Sequence, residues 1–131
     1  MKRQGSPNPS PHVKRAVIRR DNGLCVLRLD GCTGEAQTTD HRANRGSGGS
    51  RILNDPANLI GACTSCNGLK ADSSGYVRIG LIRRGILVIP SSTHEKTLTR
   101  AKETPVIYPD GVTYRLIDAS TRVRCDTQRE E

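Results

Sequence analysis

Tryptophan and phenylalanine are absent from this chain, and three tyrosines are its whole aromatic stock. With hydrophobic residues at 34% of 131, a large aromatic-rich core is excluded, and a small core of this kind usually needs a metal, a disulfide or a partner. Long apolar runs are missing too. No stretch reaches the length of a membrane span, and MKRQGSPNPS has no apolar segment behind its basic residues, which argues against a secretory signal. Acid is the scarcer charge. Against 21 Lys and Arg stand 13 Asp and Glu, a balance of +8 that favours a polyanionic partner such as nucleic acid over an acidic small molecule. The expectation is a soluble, cytoplasmic protein with no membrane partner. In such a reducing compartment paired cysteines serve as metal ligands more often than as disulfides.

The first ten residues are polar and proline-rich, and disorder is expected there. SPHVKRAVIRRDNG then predicts a helix from about residue 11 to 21, with Ser10 as cap, Pro11 at the first helical position, Val13, Val17 and Ile18 on one stripe, and Gly23 as the stop. Lys14, Arg15, Arg19 and Arg20 occupy the other face. AQTTDHR and NLIGAC read as short strands on either side of a glycine-rich loop, and TSCNGLKAD as a short helix capped by Thr64 or Ser65. From residue 76, YVRIGLI and ILVIP flank RRG, and VIY and VTYRLI flank PDG. These β-branched runs predict two hairpins, joined by the polar and partly helical SSTHEKTLTRAKET. The chain thus divides into a tail at 1–10, a core at 11–75, a β-rich extension at 76–120 and a polar tail at 121–131.

Cysteine supplies the frame. Cys25 and Cys32 enclose six residues, Cys63 and Cys66 enclose two, and thirty residues lie between the pairs. The second pair is the tight knuckle that brings two thiolates to one tetrahedral zinc, and the first is a looser version closed at Asp30-Gly31. One structural zinc here would add about 10 kcal/mol or more of folding free energy. The alternative is buried, unligated thiols. Cys125 stands alone and has no assigned role.

The two pairs clamp the chain before the first strand and at the start of the second helix, which draws Asp40, His41 and Asn67 toward one spot. The Asp40 carboxylate and the Asn67 amide oxygen are hard donors suited to one Mg²⁺ or Mn²⁺. Neutral His41 suits proton abstraction from water in phosphodiester hydrolysis. In a regular strand Asp40 and His41 would point to opposite faces, so they converge only if the strand ends or bulges at this pair. Arg42, Arg45, Arg51 and Lys70 lie near in sequence and are candidate contacts to backbone phosphates.

In this order, Cys25…Cys32…Asp40-His41…Asn58…Cys63-x-x-Cys66-Asn67…Lys70, with RGSGG in the loop and NLIGACTSCNGLK as one block, the chain resembles the HNH endonucleases, in particular their small zinc-containing phage-type members. The resemblance covers roughly residues 12 to 75. It implies an α+β protein with a zinc-stapled ββα-metal core, carrying an N-terminal helix before it and a hairpin-rich region after it. It also implies Asp40 as the first metal ligand, His41 as general base, and Asn58 as the middle asparagine that braces the loop and helps orient the base. Asn67 stands where the family's final histidine would be, a departure that favours Mg²⁺ or Mn²⁺ over softer ions at the catalytic site. The activity implied is nicking of double-stranded DNA to a 5′-phosphate and a 3′-hydroxyl, by a monomer or a dimer, in the host cytoplasm for a phage-encoded chain and beside a phage terminase. A competing expectation is a non-catalytic zinc-stapled nucleic-acid-binding or adaptor module. A cysteine-based redox protein would leave Cys25 and Cys32 without a role.

Overall fold

The protein, here a computed structural model, is described over residues 8–44 and 51–125. Helix α1 spans Pro11–Arg20, with the Ser10 hydroxyl accepting from Val13 N and Pro11 in the first turn. Its start matches the sequence expectation because both signals are local: a hydroxyl that satisfies an orphan N–H, and a proline whose missing N–H costs nothing there. Strands β1 (Thr38–His41) and β2 (Leu59–Ala62) pair antiparallel, with Thr38 opposite Ala62 and His41 opposite Leu59. Between them the described chain makes two 3₁₀ turns, Ile52–Asn54 and Pro56–Asn58. Gly61 is required on β2, since a Cβ there would lie 2.7 Å from the Leu24 carbonyl oxygen.

Helix α2 follows at Thr64–Ala71. Neither Thr64 nor Ser65 caps it. The cap is Cys63, whose sulfur accepts from Cys66 N at 3.4 Å, so a predicted zinc ligand also starts the helix.

The larger correction comes at residue 75. In place of a first hairpin the chain forms helix α3, Gly75–Arg83. YVRIGLI is rich in β-branched and aromatic residues, but a strand there would leave its edge N–H and C=O groups to be paired elsewhere, whereas a helix pairs them internally. RRG is the helix stop and not a hairpin turn. Gly85 N donates to Ile82 O at 3.0 Å and Ile86 N to Leu81 O at 3.0 Å, the paired bonds of a Schellman motif, with Gly85 at φ +74. The residues after it, Ile86, Leu87 and Val88, run buried into the core.

Helix α4, His94–Glu103, takes most of the polar connection, capped by the Thr93 hydroxyl and burying Thr97 and Ala101. The second predicted hairpin is present as β3 (Val106–Ile107) and β4 (Thr113–Leu116), and it gains a third strand, β5 (Arg122–Arg124). Residues 122–124 of the polar tail expected from 121 thus form a strand, and 126–131 lie outside the described residues. β5 is held by its ladder to β4 and by the Arg122 guanidinium, which stacks over Tyr114 at 4.0 Å and Tyr108 at 4.5 Å, a cation–π contact rather than apolar alternation.

The fold is thus mixed α+β, with four helices and two small antiparallel sheets among the described residues. One cluster of buried side chains runs through both halves: Cys25, Val26, Leu27 and Ile60 pack with Leu81, Ile86, Val106, Tyr108 and Leu116. No helix among the described residues is long and apolar enough to cross a membrane.

Candidate metal centre and active-site cleft

The four cysteines named from spacing come together. The sulfurs of Cys25, Cys32, Cys63 and Cys66 all lie within 4.8 Å of one another, and Cys32 and Cys63 are 4.0 Å apart. A tetrahedral zinc with Zn–S bonds of about 2.3 Å sets its sulfurs roughly 3.8 Å from one another, so the donors fit one zinc ion. Backbone N–H groups point at the sulfurs: Leu29 N at Cys66 and Gly34 N at Cys32, each at 3.3 Å. Such donors stabilise thiolate charge. Burial pushes the Cys25 and Cys66 thiols up. Burial also works against the Cys63 thiolate, but hydrogen bonds from Thr33 and Cys66 outweigh it and bring that thiol down to about 6. Arg28, at φ +54, turns the chain after Cys25 and donates to Cys25 O at 3.1 Å.

The predicted catalytic residues share a second place. Asp40, His41 and Asn67 all line a single cleft of about 370 Å³, together with Thr39, Lys70 and Arg78. Asp40 and His41 are the last two residues of β1. Lys70, one helical turn past Asn67, draws in the chain there: its Nζ donates to Asp40 Oδ2 at 2.5 Å and to the carbonyl oxygens of His41 at 2.6 Å and Arg42 at 3.4 Å. Burial pushes the Asp40 carboxyl up and the Lys70 ammonium down, and each partner's charge opposes that shift in the other. The Thr39 hydroxyl is buried in the same wall with no hydrogen-bond partner among the described residues.

His41 Nε2 lies 2.7 Å from Asn54 Oδ1. An acceptor there favours the tautomer with hydrogen on Nε2 and the lone pair on Nδ1. The orienting contact thus comes from Asn54, which spacing had passed over. Asn58 has the bracing part of its expected role. Fully buried, it accepts from Ala43 N at 2.8 Å and donates to Ala43 O and Leu53 O at 3.1 and 2.9 Å, tying the exit of β1 to the 3₁₀ turns.

The basic residues fare unevenly. Arg42 is not a phosphate contact. It is 1% exposed, and its guanidinium donates to the carbonyls of Gly85, Ala57, Ala101 and Thr104 at 2.6 to 2.8 Å. Lys70 is likewise no solvent-facing cation, being 8% exposed and paired with Asp40. Arg51 is exposed but does not line the cleft. Arg45 and the RGSGG loop lie outside the described residues. Arg78, on α3, was missed because its segment read as a strand. It is exposed, lines the cleft, and its charge is felt at Lys70.

Comparison of the chain with protein-family models, with curated proteins and with solved structures finds no match to any of them.

Proposed function

We propose that the protein is a metal-dependent DNA endonuclease of the HNH type. The observation that carries this reading is the convergence of Asp40, His41 and Asn67 on one cleft directly beside the four-cysteine site, whose ligand Cys66 is the neighbour of Asn67. The donors fit a hard ion, a carboxylate and an amide oxygen being the set that Mg²⁺ or Mn²⁺ prefers. Such an ion, when bound, supplies positive charge to the phosphate and to the departing sugar oxygen. His41, held at Nε2 by Asn54, takes the proton from the attacking water at Nδ1. Arg78 meets a backbone phosphate at the cleft rim. The products would be a 5′-phosphate and a 3′-hydroxyl, and the phage terminase is the partner that the resemblance suggests.

A second reading, a non-catalytic zinc-stapled nucleic-acid-binding module, is favoured by the Asp40–Lys70 ion pair, because an ammonium at 2.5 Å already neutralises the proposed metal ligand. Nicking of a supercoiled plasmid with Mg²⁺ or Mn²⁺ separates the two. The endonuclease reading requires cleavage that is lost in His41→Ala while zinc content and DNA binding persist. Cleavage by His41→Ala at the wild-type rate, or none by the wild type, refutes it.

A further inference from the structure

The wall of the cleft contains a cation of its own. Lys70 Nζ is surrounded by one carboxylate oxygen and two carbonyl oxygens, from Asp40, His41 and Arg42, and the side chains of Lys70 and Asp40 are 8% and 10% exposed. Oxygen donors of this kind are the ligand set of a hard metal ion. Two cations cannot both hold Asp40 Oδ2 closely where water is scarce, since like charges a few ångströms apart repel strongly in a poorly screened site. Arg78 in the same lining adds a further positive charge.

We propose that Lys70 is a positioning residue that competes with a divalent metal ion for Asp40. Without the metal, the ammonium holds the carboxylate and the end of β1 in place. When the ion takes Asp40 and Asn67, the ammonium leaves Oδ2 and turns into the cleft, where a bound phosphate is its next partner. Metal binding is therefore weak in the absence of DNA, because the ion has to displace a built-in counter-charge and the phosphate then stabilises that charge in its new position. The identity of the ion rests on the endonuclease reading; the competition for Asp40 rests on the contacts of Lys70 alone.

The test is Mn²⁺ affinity, read from the free-ion EPR signal, on zinc-loaded wild type, Lys70→Met and Lys70→Arg. Lys70→Met should bind Mn²⁺ at least tenfold more tightly than wild type, and Lys70→Arg, which restores the charge, should return to the wild-type range. A residue that served only to brace the fold would not tighten metal binding when removed. Equal or weaker binding by Lys70→Met of native zinc content overturns the proposal, as does a wild type and a Lys70→Met that both fail to bind. Should Lys70→Met not fold, amine labelling of the wild type decides instead. Lys70 should be protected without Mg²⁺ and modified with it, and a labelling yield indifferent to Mg²⁺ overturns the proposal. Plasmid nicking by the wild type is scored separately, so loss of the endonuclease reading and loss of this competition give different patterns.

Discussion

Arg42 is where a change should show most plainly that this basic chain uses some of its arginines internally. Its guanidinium donates to four backbone carbonyls, from the 3₁₀ turn at Ala57, the α3 stop at Gly85, and the end of α4 at Ala101 and Thr104. Burial pulls it down only to about 10, so it is charged at neutral pH. Hydrogen bonds from a charged donor contribute about 1.5–3 kcal/mol each, a gross sum of roughly 6–12, and removing the guanidinium from water costs several kcal/mol. Arg42→Ala should therefore destabilise the protein by about 3–5 kcal/mol, the range found when one partner of a buried charged network is removed. That is a large share of the roughly 5–15 kcal/mol of a typical domain. Arg42→Lys should recover little, since one ammonium cannot reproduce a planar fork aimed at four carbonyls. Urea unfolding of the zinc-loaded protein, read as a shift in midpoint at constant slope, measures the loss. A midpoint within about 0.5 kcal/mol of wild type, accompanied by weaker DNA binding, would refute the reasoning and return Arg42 to the surface.

Further outcomes follow from the two sites. One zinc per chain is expected by elemental analysis, and its affinity should fall steeply on acidification, because the Cys25 and Cys66 thiols, raised by burial, must lose their protons to bind; chelator competition that shows constant affinity between about pH 5 and 8 rules this out. His41→Ala should lower the nicking rate by about 10²–10⁴, and Asn54→Ala by about tenfold through the lost ring contact, with DNA binding unchanged in both; an Asn54→Ala rate equal to wild type means that Asn54 does not orient the base. Arg78→Ala should weaken DNA binding and reduce the slope of log K against log salt by about 1, and an unchanged slope means that Arg78 meets no phosphate.

What was legible in the sequence was local. Cysteine spacing within each knuckle, a Ser-Pro helix start, and a PDG turn between β-branched runs each describe contacts a few residues apart, and each appears in the structure. What was not legible depended on distant chain. YVRIGLI has the β-branched content of a strand, yet only Leu81 of its helix is buried, and Tyr76, Val77, Ile79 and Ile82 stay exposed. Among the described residues no strand pairs with it, and β-branched content carries no information about that. Arg42 misled for the same reason. Its acceptors lie 15 to 62 residues further on, so nothing beside it in the sequence distinguished a buried anchor from a phosphate contact. Asn54 and Asn58 are four residues apart in RILNDPAN, and spacing could not say that the first would meet His41 and the second would brace the loop.

The convergence of Asp40 and His41 raises a subtler point, because strand alternation argued against it. One side chain from α2 gathers this end of β1. Lys70 Nζ takes acceptors from three consecutive residues, 40, 41 and 42. Only the first of these acceptors is a side-chain atom and the other two are main-chain carbonyls, so the contact ties down the end of β1 at His41 and does not itself set the direction of the imidazole. Helix α2 is thereby fixed at both ends, by Cys63 and Cys66 at its start and by Lys70 at its finish. Asn67 lies between those two anchors and inherits its position from them. Zinc loss should therefore disturb the cleft through α2 even though no cysteine lines it, and the metal frame and the cleft are better regarded as the two ends of one short helix than as separate sites.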